Sequence, residues 1–109
     1  MDRYERMMDA ACAARKEQDV AAQILVTETI DGDICAFAND LSQTGEESFL
    51  ATQQGTISAL LCVWRNGQID VPSMRVRQGL LRADAQNADA LVYLQGENGI
   101  VTRLLAKTV

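Results

Sequence analysis

The sequence predicts an α/β fold: a mixed sheet of about five strands with helices on both faces, a three-layer α-β-α sandwich. Three observations predict it. Segments with apolar residues at helical spacing alternate with segments rich in β-branched residues, in the order α, β, β, α, β, α, β and a last strand or short helix. Ile57–Trp64 (ISALLCVW) is continuously apolar between Gly55 and Asn66-Gly67, which suits a central strand covered on both sides. A helix then intervenes before the next strand, which requires at least one parallel crossover.

Each element has a local reason. Residues 2 to about 18 are good helix formers. Tyr4, Met8, Ala11 and Ala14 or Arg15 recur at helical spacing, with Met7 and Cys12 beside them on the expected inner face. Residues 21–30 (AAQILVTETI) and 34–38 (ICAFA) flank Asp31-Gly32-Asp33, a turn signal, and together predict a hairpin. The polar stretch 39–47 predicts a loop, followed by a short helix at 48–54 closed by Gly55 in a left-handed cap. A longer helix running from Glu46 through Arg65 is the competing assignment, weakened by Gly55-Thr56-Ile57. Pro72-Ser73 opens a helix over 74–84, with Val76, Leu80 and Leu81 as its apolar stripe and Met74 an early contact. Residues 89–95 predict a buried strand, Gly96-Glu97-Asn98-Gly99 a turn, and 100 to about 105 the last element. With no internal repeat and no linker, residues 1–109 are expected to form a single domain.

Composition narrows the chemistry. The chain has no histidine, which removes Ser-His-Asp and Cys-His catalysis and every His-containing metal site. Its 15 acidic against 10 basic residues give a formal charge of −5, with no run of Lys or Arg, so nucleic acid is not an expected partner. No apolar stretch approaches the roughly 18 residues of a membrane span, so no membrane association is expected. Cys12, Cys35 and Cys62 are odd in number and widely spaced, and the charged start is no secretory leader. Reduced thiols and a cytoplasmic location are the expectation.

Taken singly, the candidate residues have structural explanations. Cys62 and Cys12 read as small buried hydrophobes, and Cys35, beside a turn, as the exposed thiol. No two cysteines have ligand spacing. Glu46-Glu47 is either a carboxylate pair with one raised pKa or a complement to a helix N-terminus. Trp64 and Tyr93 fall in strands, as core or interface residues. Gly96-x-x-Gly99 lacks the strand-to-helix context of a phosphate loop.

The order of elements nevertheless resembles the small cytidine deaminase family, including the blasticidin deaminases. Val20-Ala21-Ala22, then Asp31-Gly32-x-Ile34, then Asn39 resembles V-G-A-A … D-G-x-I-x-x-G-x-N. Pro72-Ser73-Met74-Arg75-Val76-Arg77-Gln78 resembles P-C-x-x-C-R-Q, with Pro72, Arg77 and Gln78 in register. Residues 87–105 resemble the family's final strand, turn and return. The resemblance spans nearly the whole chain. It implies zinc-activated water attacking C4 of cytosine, a zinc ion held by three cysteines, and a Glu that shuttles protons without binding metal.

The sequence departs from that pattern at the ligands. The two cysteine positions of P-C-x-x-C are Ser73 and Val76. The first ligand and acid correspond either to Ser48-Phe49-Leu50 or, in a shifted register, to Gly45-Glu46-Glu47, which keeps Glu47 as the only candidate acid. Serine is a poor zinc ligand and valine is none. Asn39 stands where the family helps to bind ribose, but Leu41 stands where the resemblance calls for Glu.

Bound zinc and any other cofactor are therefore not expected. The leading expectation is a non-catalytic deaminase-like domain acting through binding or assembly as a homo-oligomer, a dimer or tetramer. Three alternatives stay open. One is a divergent deaminase with a relocated site, using Glu47, Cys35 and Cys62. Another is a nucleoside or nucleotide binding module, its pocket drawn from Asn39, Ser48, Ser73, Arg77 and Gln78. The third is an unrelated α/β interaction domain.

Overall fold

The structure, a computed structural model, describes residues 2–53 and 55–109. Helix α1 spans Arg3–Glu17. The Asp2 side chain accepts the Glu5 backbone N–H and caps it. Strands β1 (Gln23–Thr29) and β2 (Ile34–Asn39) form the antiparallel hairpin, pairing Gln23 with Asn39 and Glu28 with Ile34. Helix α2 spans Gln43–Thr52, and strand β3 spans Ile57–Trp64. A two-residue strand β4 (Ile69–Asp70) precedes helix α3 (Met74–Ala83) and a 3-10 turn at Ala85–Asp89. Strands β5 (Leu91–Gly96) and β6 (Gly99–Leu104) lead into a last 3-10 turn at Leu105–Lys107.

The strands form one mixed sheet in the order β2-β1-β3-β5-β6, with β4 paired to β3. Among the described residues its only parallel pair is β3–β5, joined by the α3 crossover. Helix α1 covers one face, burying Met7 and Ala11 against Ile24, Val26, Ala59 and Leu61. Helices α2 and α3 cover the other, burying Phe49, Val76 and Leu80 against Leu25, Leu60, Cys62 and Val92. Strand β3 touches both clusters, which accounts for its unbroken apolar run.

The three-layer mixed sheet is the expected fold, with six strands because β4 adds a short one. Other expectations need correction. Helix α2 begins at Gln43, because Ser42 caps it by accepting the Gly45 backbone N–H. Gln54, the end of the expected helix, lies outside the described residues. Cys12 is exposed, because the buried stripe of α1 runs through Met7 and Ala11. Residues 85–89 form the 3-10 turn, so β5 starts at Leu91. There the Asn87 side chain donates to Leu80 O and accepts from the Ile57 N–H, closing the end of α3 onto β3. The last element is a strand followed by a single 3-10 turn.

Candidate functional site

Three elements bring polar side chains together on the α2–α3 face: the end of β2, the first half of α2 and the start of α3. Glu46 sits at the centre and is only 2% exposed. Its Oε2 accepts the Ser73 hydroxyl at 2.7 Å and Asn39 Nδ2 at 3.4 Å. Its Oε1 accepts Arg75 Nη1 at 2.8 Å. Asn39, fully buried, also donates to Gln23 Oε1 at 3.1 Å, across the β1–β2 pair. Its Oδ1 accepts the Leu41 N–H at 3.2 Å, and Leu41 takes a left-handed φ of 68°. Ser73 also caps α3 by accepting the Val76 N–H at 3.3 Å.

Both oxygens of the buried carboxylate thus have donors, one of them a guanidinium. A buried charge persists in an apolar layer only when it is paired and hydrogen-bonded in this way. The network is self-satisfied: its donors and acceptors face one another.

The residues expected at the site are dispersed. Asn39 and Ser73 share the network. Glu47 is exposed, its Oε1 accepting Gln43 Nε2 at 2.9 Å. Ser48 is exposed on α2, and Gln78 is exposed on α3. Arg77 donates to Pro72 O at 2.9 Å and to Thr108 O, tying the end of the chain to the start of α3. Of the five pocket candidates Asn39, Ser48, Ser73, Arg77 and Gln78, the structure brings Asn39 and Ser73 together through Glu46. The inward carboxylate is Glu46 in place of Glu47. Once Ser42 is recognised as the cap, Glu46, Phe49 and Leu50 fall at helical spacing on the core-facing side, and Glu47 and Ser48 fall outside it.

The donor set does not fit a zinc ion. At the motif positions, the Ser73 hydroxyl is committed to Glu46 and Val76 is fully buried among apolar side chains. Gly45 has no side chain, and Ser48 points outward. Among the described residues no three His, Cys, Asp or Glu gather to hold a metal. Cys62 lies in the same apolar layer as Val76. Burial first, then the charges of Asp70 and Glu46, push its thiol up to about 12, so it stays protonated at neutral pH. Cys35 is exposed and lines a groove beside the start of β2. Four residues of strand, roughly 13 Å, separate it from Asn39. Trp64 is half-buried, with its indole N–H directed to Asp70 at 3.3 Å. Tyr93 is buried on the opposite face, its ring tilted by 57° against that of Tyr4 at 5.2 Å between ring centres.

No protein-family model matches the sequence, and no curated protein matches it. Solved structures do. Cytidine deaminase from Mycobacterium leprae superposes with a TM-score of 0.68 at 21% identity, covering 100% of this chain and 98% of that one. Cytidine deaminase from Mycobacterium tuberculosis gives 0.63 at 18% identity, covering 99% and 94%. A point mutant of the M. tuberculosis enzyme gives 0.69 at 19% identity, covering 99% and 95%. The chain has a cytidine deaminase-like fold. At these identities the likeness is one of backbone architecture across the full length. Within the cytidine deaminase-like fold, the Glu46 network lies where β2, α2 and α3 meet.

Proposed function

We propose that this chain is a zinc-free, non-catalytic domain of cytidine deaminase-like fold that works through binding or assembly. One observation carries the reading: the two positions that P-C-x-x-C would give to thiolates hold Ser73 and Val76, and the Ser73 hydroxyl is consumed by the buried Glu46–Arg75 pair. A deaminase of this kind needs a polarised water and a carboxylate free to move protons. Both oxygens of Glu46 already accept hydrogen bonds, one of them from a guanidinium, and Glu47 is turned outward.

Assembly into a homo-oligomer is supported by β6. All but its first residue are exposed, including the apolar Ile100, Val101 and Leu104, at the open edge of the sheet. No helix among the described residues is long and apolar enough to cross a membrane. Two exposed free thiols suit a reducing compartment such as the cytoplasm.

The test is ammonia release from cytidine, deoxycytidine, adenosine and guanosine, with protein supplemented with zinc. None above the buffer control is expected. Turnover of any of them that is lost in Glu46→Gln or Glu47→Gln would overturn the proposal in favour of a relocated deaminase.

A further inference from the structure

The open edge of β2 and the groove beside it form a second feature, separate from the Glu46 network. Strand β2 ends the sheet and, among the described residues, has no partner beyond β1. Exposed edge strands usually carry Lys, Pro or a bulge that blocks pairing. Strand β2 (ICAFAN) has neither Lys nor Pro, and its register against β1 is unbroken. On the α2 side of this edge runs a groove of about 810 Å³ lined by Thr27, Cys35, Phe37, Phe49, Thr52 and Thr56, among others. Phe37 and Phe49 meet edge to face at 5.5 Å and give it an aromatic floor.

Charge selects the occupant. From Glu17 to Trp64 the chain contains no Lys or Arg. Exposed Asp31 and Asp33 flank the entry to β2, and exposed Asp40 follows its exit. The geometry points to a docking site for a basic, extended peptide segment of a partner protein. The segment adds as a strand to β2, sets alternate apolar side chains into the groove and meets the acidic ends with Lys or Arg. A second copy is disfavoured. Antiparallel pairing of β2 with its own copy over the whole strand sets each Asp33 against the other copy's Asp40, like charges directly opposed.

The probe is an acetylated, fluorescein-labelled Lys-Val-Lys-Phe-Lys-Val-Lys peptide, followed by anisotropy and by amide shifts of the full chain. Saturable binding that weakens with salt is expected, with shifts confined to the β1–β2 hairpin and the C-terminal half of α2. Reversing both Asp31 and Asp33 to Lys replaces two attractions by two repulsions, and is expected to weaken binding about tenfold. The same peptide N-methylated at every residue leaves the protein untouched but offers no N–H from either edge to pair as a strand, and is expected to lose binding. Equal binding of the N-methylated peptide would overturn the inference, as would shifts centred elsewhere, no saturable binding, or self-association mapped to Ile34–Asn39. Metal content and ammonia release do not enter this test, so it fails or succeeds independently of the zinc-free reading.

Discussion

Arg75→Met probes the Glu46 network most sharply. The substitution keeps a long side chain on α3 but removes the guanidinium that lies 2.8 Å from Glu46 Oε1. Stripping one partner from a fully buried ion pair costs about 3–5 kcal/mol, because a desolvated charge is left behind. Here only the carboxylate is buried. The Arg75 side chain is 46% exposed, so water reaches its end of the pair and screens it. Ser73 and Asn39 also remain to hold Oε2. The expected loss is therefore about 1.5–3 kcal/mol. At the lower end of the usual scaling for a domain of this size, about 4 °C per kcal/mol, that is a fall in Tm of about 6–12 °C. Urea denaturation of the wild type, Arg75→Met, Glu46→Gln and the double variant closes a thermodynamic cycle. In the Glu46→Gln background the buried group is neutral, and losing the guanidinium is expected to cost about 1–2 kcal/mol less than it does in the wild type. If Arg75→Met costs the same in both backgrounds, the two side chains are not coupled, and the site is not a closed charged network.

Four further outcomes follow from particular side chains. Cys12 and Cys35 are expected to react quickly with Ellman's reagent at neutral pH, and Cys62 only on unfolding. The Cys62 pKa is raised in the folded chain, from 9.0 to about 12, so its contribution is intact below 9 and is lost as pH rises from 9 toward 12. A denaturation midpoint that falls over that range in the wild type, and less in Cys62→Ala, is the check. Arg77→Met is expected to speed amide exchange at Thr108 and Leu105 while leaving Glu46–Arg75 coupling unchanged, because Arg77 holds the last turn rather than the network. Leu41→Gly is expected to be more stable than Leu41→Ala by about 1 kcal/mol in urea denaturation, since only glycine adopts φ of 68° without a Cβ penalty.

The fold was legible because its signals are local and redundant. The Asp31-Gly32-Asp33 turn sits between two β-branched runs, and the hairpin follows. The apolar run of β3 has no face left for water, and its central place follows. The polar stretch after Asn39 was less legible. Glu46 and Glu47 are chemically identical, and the loop expectation placed the helix start near Ser48. Which carboxylate turns inward depends on the face α2 packs, and Phe49, buried in the same cluster as Leu25 and Leu60, puts Glu46 on that face. Adjacent residues of a helix lie about 100° apart around its axis, so Glu47 falls outside that face. Cys12 shows the same sensitivity. It is the neighbour of Ala11, yet α1 buries Met7 and Ala11 and leaves Cys12 to solvent. Arg75 carried no sequence signal at all, because its role exists only once Glu46 is inside. Ser73 stands at a ligand position of P-C-x-x-C, and in the structure its hydroxyl meets Glu46 and the N–H of Val76.

On the proposed reading, this deaminase-like fold closes its site with a carboxylate network that has no place for zinc. Zinc stoichiometry tests it most directly, measured by elemental analysis on protein purified without chelator and again after dialysis against excess zinc. Well below one zinc per chain is expected in both, with the Ellman-reactive thiols of Cys12 and Cys35 unchanged. One tightly held zinc per chain, with a thiol or Glu46 shown to be its ligand by substitution, would contradict it.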